Sequence, residues 1–194
     1  MIDYVSVIKR YYKEDTPLWD ILLHHSRQVA GRALSICDRH PEWQLDRQFI
    51  EAASMLHDIG ITRCDAPGIA CFGTEPYIRH GLLGGEMLRQ LPLEPAITEP
   101  FARICERHTG AGITTDEIRL QHLPLPERDL QPETLAEQLV CYADKFYSKS
   151  HLEREKTIDE AARSLRKFGE EGVVRFLRWA ALFEDYQAPS GAQQ

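Results

Sequence analysis

The chain has 194 residues, 43% hydrophobic and 27% charged, the make-up of a soluble globular protein long enough for one well-buried domain. A net charge of −7 lacks the basic face that general nucleic-acid binding requires. No apolar run approaches the roughly 18 residues of a membrane span, and the opening "MIDYVSVIKRYYKEDTP" lacks the long uncharged core of a secretory signal.

Helical periodicity dominates. Leu18, Leu22, Val29, Ala33 and Ile36 predict a helix from about 17 to 39, stopped by Pro41. A second helix rises through "RQFIEAASMLHD", with Gly60 as its expected terminator. The Gly- and Pro-punctuated segment 62–78 is too long for a plain connector and reads as a lid, with Phe72 and Tyr77 as its aromatic residues. Helices follow over "RHGLLGGEMLRQL" and "ITEPFARICERH", the latter expected to start around its proline. After the break "LPLPERDLQPE", a long helix is predicted over 132–150, then helices over 155–168 and 170–186 separated by Gly169 or Gly172. The tail "APSGAQQ" is expected to fray. The reading is all-α: one helical bundle over 1–194, with a core of about 17–152 and the C-terminal helices packed on it. The surplus of aromatic and leucine residues in "RFLRWAALF" also suits a homodimer face.

Cys37, Cys64, Cys71, Cys105 and Cys141 are odd in number and form no CxxC pair, so a reduced cytoplasmic protein is expected. Cys64 and Cys71 share a loop but lack zinc-type spacing.

The histidines are more telling. His25 lies on the stripe Leu18, Leu22, Val29, Ile36, whereas His24 lies about 100° round the helix beside Asp20 and Gln28. His57 follows Ile50 and Ala53, His80 heads the stripe Leu83, Gly84, Met87, Leu88, and His108 ends the stripe Ile97, Phe101, Ile104, Cys105. Four helices therefore each aim one imidazole at the core. Asp144 sits among Val140, Cys141, Tyr147 and Ser148 with no base one turn away, and Asp58 makes a second inward carboxylate. Taken singly, each histidine reads as a core residue bonded to a backbone carbonyl. Six such groups together match the donor set of a dinuclear transition-metal site, where the ions offset carboxylate desolvation. His40, His122 and His151 read as ordinary surface or helix-end residues.

The order His25, His57-Asp58, His80, His108, Asp144 resembles the HD-domain superfamily of metal-dependent phosphohydrolases. "HDIG", "RHGLLGGEML", "ERHTGAGIT" and "YADKFYSK" look like its small single-domain HDIG branch, over about 17–186. The resemblance implies an all-helical bundle and two divalent ions such as iron or manganese. It implies His25, His57, Asp58 and Asp144 at the first ion, His80 and His108 at the second, and Asp58 bridging. The chain departs from the cyclic-dinucleotide phosphodiesterase branch: Ile61 stands where that branch has lysine, and there is no GYP segment. No sensor or synthetase region reads out of these residues, so a role of the alarmone-hydrolase kind is not expected.

Two ions about 3.5–4 Å apart activate water for attack on phosphorus, so the implied activity is hydrolysis of a small phosphate ester, with Asp58 and Lys145 as catalytic residues. Lys145 is the leading contact for a substrate phosphate. Lys149 shares its helical edge, and Arg63 and Arg79 are weaker candidates. Gly110 and Gly112 permit a sharp turn close to a ligand. Two other readings compete. HD-fold oxygenases hold a mixed-valence di-iron centre with the same ligand order and act on a small polyol or phosphonate. A metal-retaining regulatory module would turn over nothing.

Overall fold

The computed structural model describes residues 2–187; the tail predicted to fray, 188–194, lies outside the described residues. A short helix not foreseen from sequence, α1 (Tyr4–Tyr11), is capped by Asp3, whose carboxylate accepts from the Ser6 amide. The long helix α2 (Pro17–Arg39) has the bounds expected: Thr16 caps it, Pro17 takes its first position, and it ends just before Pro41.

Helix α3 (Arg47–Leu56) ends four residues before Gly60, and the chain continues through His57 and Asp58 into a 3₁₀ turn over Ile59–Arg63. Gly60 is therefore not a helix terminator. A Cβ there would collide with the His80 carbonyl oxygen and the Gly84 amide, so glycine lets this turn lie against α4 (His80–Arg89). Segment 62–78 carries a minimal antiparallel pair, β1 (Asp65–Ala66) and β2 (Cys71–Phe72), the strands described in an otherwise helical chain. Cys64, Ile69 and Cys71 are buried and pin the expected lid to the core, while Arg63, Asp65, Phe72 and Thr74 are exposed.

Helix α5 (Pro95–Arg107) starts at Pro95 and runs through Pro100, not from it. Pro95 suits the first position, and the donor missing at Pro100 affects only the carbonyl of Ala96, an exposed residue that water can serve. Helix α6 (Thr115–Leu120) was not foreseen, although the Thr114–Glu117 capping box is visible in "TTDE". Helix α7 (Leu135–Asp144) is shorter than predicted. A Thr134–Glu137 capping box starts it, and after Asp144 the backbone tightens into three-residue turns, Lys145 N–H to Tyr142 O and Tyr147 N–H to Asp144 O. Helix α8 (Ile158–Leu165) leads through a 3₁₀ turn to Gly169 at φ +118°, then α9 (Glu170–Glu184). Gly169 is the break, and Gly172 lies inside α9.

The main packing pairs α4 with α5 and α2 with α3, while α7 bridges α2, α5 and α9. One continuous apolar cluster runs from Ile2 to Phe183. The aromatics of "RFLRWAALF" turn into it: Phe176 and Phe183 pack on Tyr142, leaving Val174 and Leu182 exposed on α9. No described helix is long and apolar enough to cross a membrane. All five cysteines are free and buried; Cys64 and Cys71 do not bond to each other.

Candidate metal centre

Five elements deliver six side chains to one point. His25 comes from the middle of α2, His57 and Asp58 from the end of α3, His80 from the start of α4, His108 from the C-cap of α5, and Asp144 from the last residue of α7. All six are buried, none more than 7% exposed.

Three imidazoles are oriented by one local device. His57, His80 and His108 place Nδ1 at 2.6, 2.7 and 2.7 Å from the carbonyl oxygens of Ser54, Tyr77 and Cys105, each three residues upstream. A carbonyl only accepts, so each Nδ1 carries a proton and each Nε2 faces the cluster, where it offers a lone pair whenever the ring is neutral. Nε2 of His80 and Nε2 of His108 then face each other at 3.0 Å. Two lone pairs at that separation repel unless a proton or cation lies between them. A cation held by both nitrogens would remove that repulsion.

Asp58 joins two ligand groups. Its Oδ2 lies 3.1 Å from Nε2 of His25 and 3.1 Å from Nε2 of His57. Its Oδ1 lies 3.4 Å from Nε2 of His80 and 3.3 Å from Nε2 of His108. Asp144 Oδ1 stands 2.9 Å from His25 Nε2 and 3.4 Å from His57 Nε2. The result is one set of His25, His57, Asp58 and Asp144 and a second of Asp58, His80 and His108; within each, the donor atoms lie within 4.8 Å of one another. Among the described residues, both Asp58 oxygens and the Nε2 atoms of His25 and His57 are buried and close, yet misaligned for hydrogen bonding. Nitrogen and oxygen donors gathered in this way, with one carboxylate shared between two sets, fit divalent transition-metal ions.

The cluster's electrostatics follow from burial and close pairing. Burial alone would raise the Asp58 carboxyl, but Lys149 and His57 beside it hold it well below the usual range. Asp144 is likewise held low against its burial, first by Lys145. Burial opposes charge on His57, yet Asp58 and Asp144 overcome it and raise that imidazole to about 9. His80, with burial and the neighbouring His108 acting together, is pushed down to about 3. His108 is also lowered by burial.

Two lysines close the site. Lys145 Nζ lies 2.6 Å from Asp144 Oδ2 and donates to the His108 carbonyl at 3.0 Å. Lys149 Nζ lies 2.6 Å from Asp58 Oδ2. The predicted shared helical edge does not exist, because α7 stops at Asp144; Lys149 reaches the site from the turn beyond. Arg63 pairs with Glu86 and Arg79 with Glu75, and neither lines the cleft. Tyr77 stacks on His80 with ring centroids 4.7 Å apart, so it is the loop aromatic that reaches the site.

The cluster opens into a cleft of about 480 Å³ whose walls include Ile69, Tyr77, Thr109, Gly110, Tyr147 and Leu165. Gly110, at φ +63°, shapes this wall. Gly112, at φ +81°, instead accommodates Gln131 and Pro132, which a Cβ would strike. The cleft also takes in Lys156 and Lys167, which the sequence reading missed. Their available signal is modest: residues 145–167 carry seven basic and four acidic side chains in a chain of net charge −7.

The HD domain family model matches residues 22–148, which hold all six clustered side chains. An uncharacterized protein of Methanocaldococcus jannaschii is 32% identical over 166 residues, 84% of this chain and 85% of that protein. Proteins named tRNA (cytidine(56)-2'-O)-methyltransferase are also similar. The one from Picrophilus torridus is 32% identical over 161 residues, 78% of this chain and 41% of that protein. The one from Thermoplasma volcanium is 28% identical over 141 residues, 72% and 36% respectively. The chain thus spans less than half of each methyltransferase. No solved structure matches it. Family match, helical bundle and buried histidine–aspartate cluster agree, and the chain belongs to the HD-domain family.

Proposed function

We propose that this protein is a metal-dependent phosphohydrolase acting on a small phosphate ester. The observation that carries the reading is Asp58: one buried carboxylate turns an oxygen to each of two ligand sets, beside a cleft lined by lysines. His25, His57, Asp58 and Asp144 would hold one ion, and Asp58, His80 and His108 a second. Bound there, the ions would activate water for attack on phosphorus and offset charge on the phosphoryl oxygens.

The chain's own residues do the rest. The upstream carbonyls of Ser54, Tyr77 and Cys105 keep three imidazoles in the ligating tautomer. Lys145 and Lys149 neutralise the two carboxylates now, and once ions take that role their ammonium groups can turn to a substrate phosphate. Lys145 is anchored on the His108 carbonyl, so its charge stays at the mouth of the metal cluster. The methyl transfer named for the two longer relatives is not carried over to this chain.

The test is metal analysis of the purified protein with a phosphoester panel run under air and under nitrogen. Phosphate release in both atmospheres is expected. Asp58→Asn should lower turnover by more than the ~10–100-fold that loss of an outer-sphere partner costs. Turnover that requires oxygen would point to oxygenase chemistry instead, and retained metal with no turnover to a binding module.

A further inference from the structure

His25 lacks the device that turns the other three imidazoles. His57 and His108 cap their helices, where the carbonyl three residues upstream has no amide of the same helix to serve. His25 stands in the middle of α2, and the equivalent carbonyl, that of Leu22, already accepts from the Ser26 amide in the helical ladder. Its Nδ1 is buried with no hydrogen-bond partner among the described residues. A neutral imidazole that ligates through Nε2 carries its proton on Nδ1, and a buried N–H needs an acceptor. One turn along the same helix, Gln28 holds a buried Oε1 that is likewise without a partner. The two ends of this amide are not interchangeable. Its Nε2 donates to the Leu152 carbonyl at 2.8 Å, so the other end is the oxygen. Residues three apart on a helix are neighbours on its surface. A buried nitrogen that needs an acceptor and a buried oxygen that needs a donor thus stand one turn apart.

We propose that Gln28 is a positioning residue of the first ligand set: its Oε1 accepts from His25 Nδ1–H when Nε2 takes an ion, while its Nε2 stays on Leu152. The inference rests on the metal centre that the phosphohydrolase reading also needs, and not on turnover. The link has a second consequence. Leu152 lies in the stretch beyond α7, three residues after Lys149, whose Nζ sits 2.6 Å from Asp58 Oδ2. One amide therefore joins the ligating ring to the segment that brings a lysine to the bridging carboxylate. Ser26 Oγ and Ser54 Oγ are also buried without partners. Ser26 is about 100° round the helix from His25 and does not face it. Ser54, on α3, is the rival acceptor.

The experiment titrates Mn²⁺ into the metal-free full chain by calorimetry, which reads stoichiometry and affinity with no substrate present. Gln28→Leu has neither donor nor acceptor, and its affinity at the first set is expected to fall ~10–100-fold, the cost of losing an outer-sphere partner of a ligand histidine. Gln28→Glu keeps the acceptor for His25 but sets an oxygen against the Leu152 carbonyl, and it is expected to restore most of the affinity. A residue that merely anchors the segment at Leu152 gives the opposite pattern, with both variants losing alike. An equal loss in the two variants, no loss in Gln28→Leu, or a loss in Ser54→Ala that Gln28→Leu does not share would overturn the proposal. Phosphate release is measured on the same samples. A chain that binds ions with the expected variant pattern yet hydrolyses nothing fails the phosphohydrolase reading and leaves this one standing, whereas a wild type that takes up no ion overturns both.

Discussion

Each of three ligand histidines is turned by a carbonyl three residues upstream, and that small device decides how protons and cations compete for the site. Without an ion, His57 gains a proton on folding: its value rises from 6.5 to about 9. Its contribution to stability is therefore fully present below about pH 6.5 and is lost as pH rises through about 9. His80 acts oppositely, moving from 6.5 down to about 3, so its neutral form destabilises the fold as pH falls below about 6.5. From these two groups, the metal-free protein should be most stable near pH 6.5 in a denaturant series taken from pH 5 to 9. An ion at His57 must displace one proton. Apparent metal affinity should then rise about tenfold per pH unit between 6.5 and 9, measured by competition with a calibrated chelator. A flat profile would mean that His57 is already neutral in the metal-free protein.

At the scale of elements, the centre depends on how closely the turn after α3 lies against α4. Gly60 makes that approach, and Gly60→Ala would drive a methyl group into the His80 carbonyl and the Gly84 backbone. We expect it to cost ~2–4 kcal/mol in chemical denaturation, within the upper range for point substitutions, and to weaken metal binding by displacing His80. Thr134→Ala removes the α7 cap far from the ligands and should cost only about 1 kcal/mol, with metal stoichiometry retained. The contrast between the two variants separates helix stability from site geometry. Helix α2 was legible to the residue because cap, first-turn proline and following proline all lie within its own sequence. The end of α7 was not. Its periodicity continues past Asp144, but Lys145 and Lys149 are drawn to His108 and Asp58, partners dozens of residues away.

For the molecule as a whole, the ions would tie α2, α3, α4, α5 and α7 to a common point. Metal binding to the native state alone should therefore act as folding energy. At about 100 times its dissociation constant a metal adds ~2.7 kcal/mol, which for a chain of this length corresponds to ~5–10 °C in Tm. Removal by chelator should lower Tm by that amount, and Mn²⁺ or Fe²⁺ should restore it. Asp58→Asn should show neither change. A Tm indifferent to chelation in the wild type would mean that the cluster holds no ion under those conditions.

The amino-acid sequence on its own determined the helical class, the main helices and which histidines face inward, because 3.6-residue periodicity and capping are written in near neighbours. It also distinguished His25 from His24, a matter of 100° on one helix. Only the tertiary structure decided that Asp58 offers one oxygen to each ligand set, that Arg63 and Arg79 are taken up by Glu86 and Glu75, and that Lys156 lines the cleft. These facts depend on where separate helices cross and on which charges meet across long stretches of chain. No local pattern of spacing records such distances.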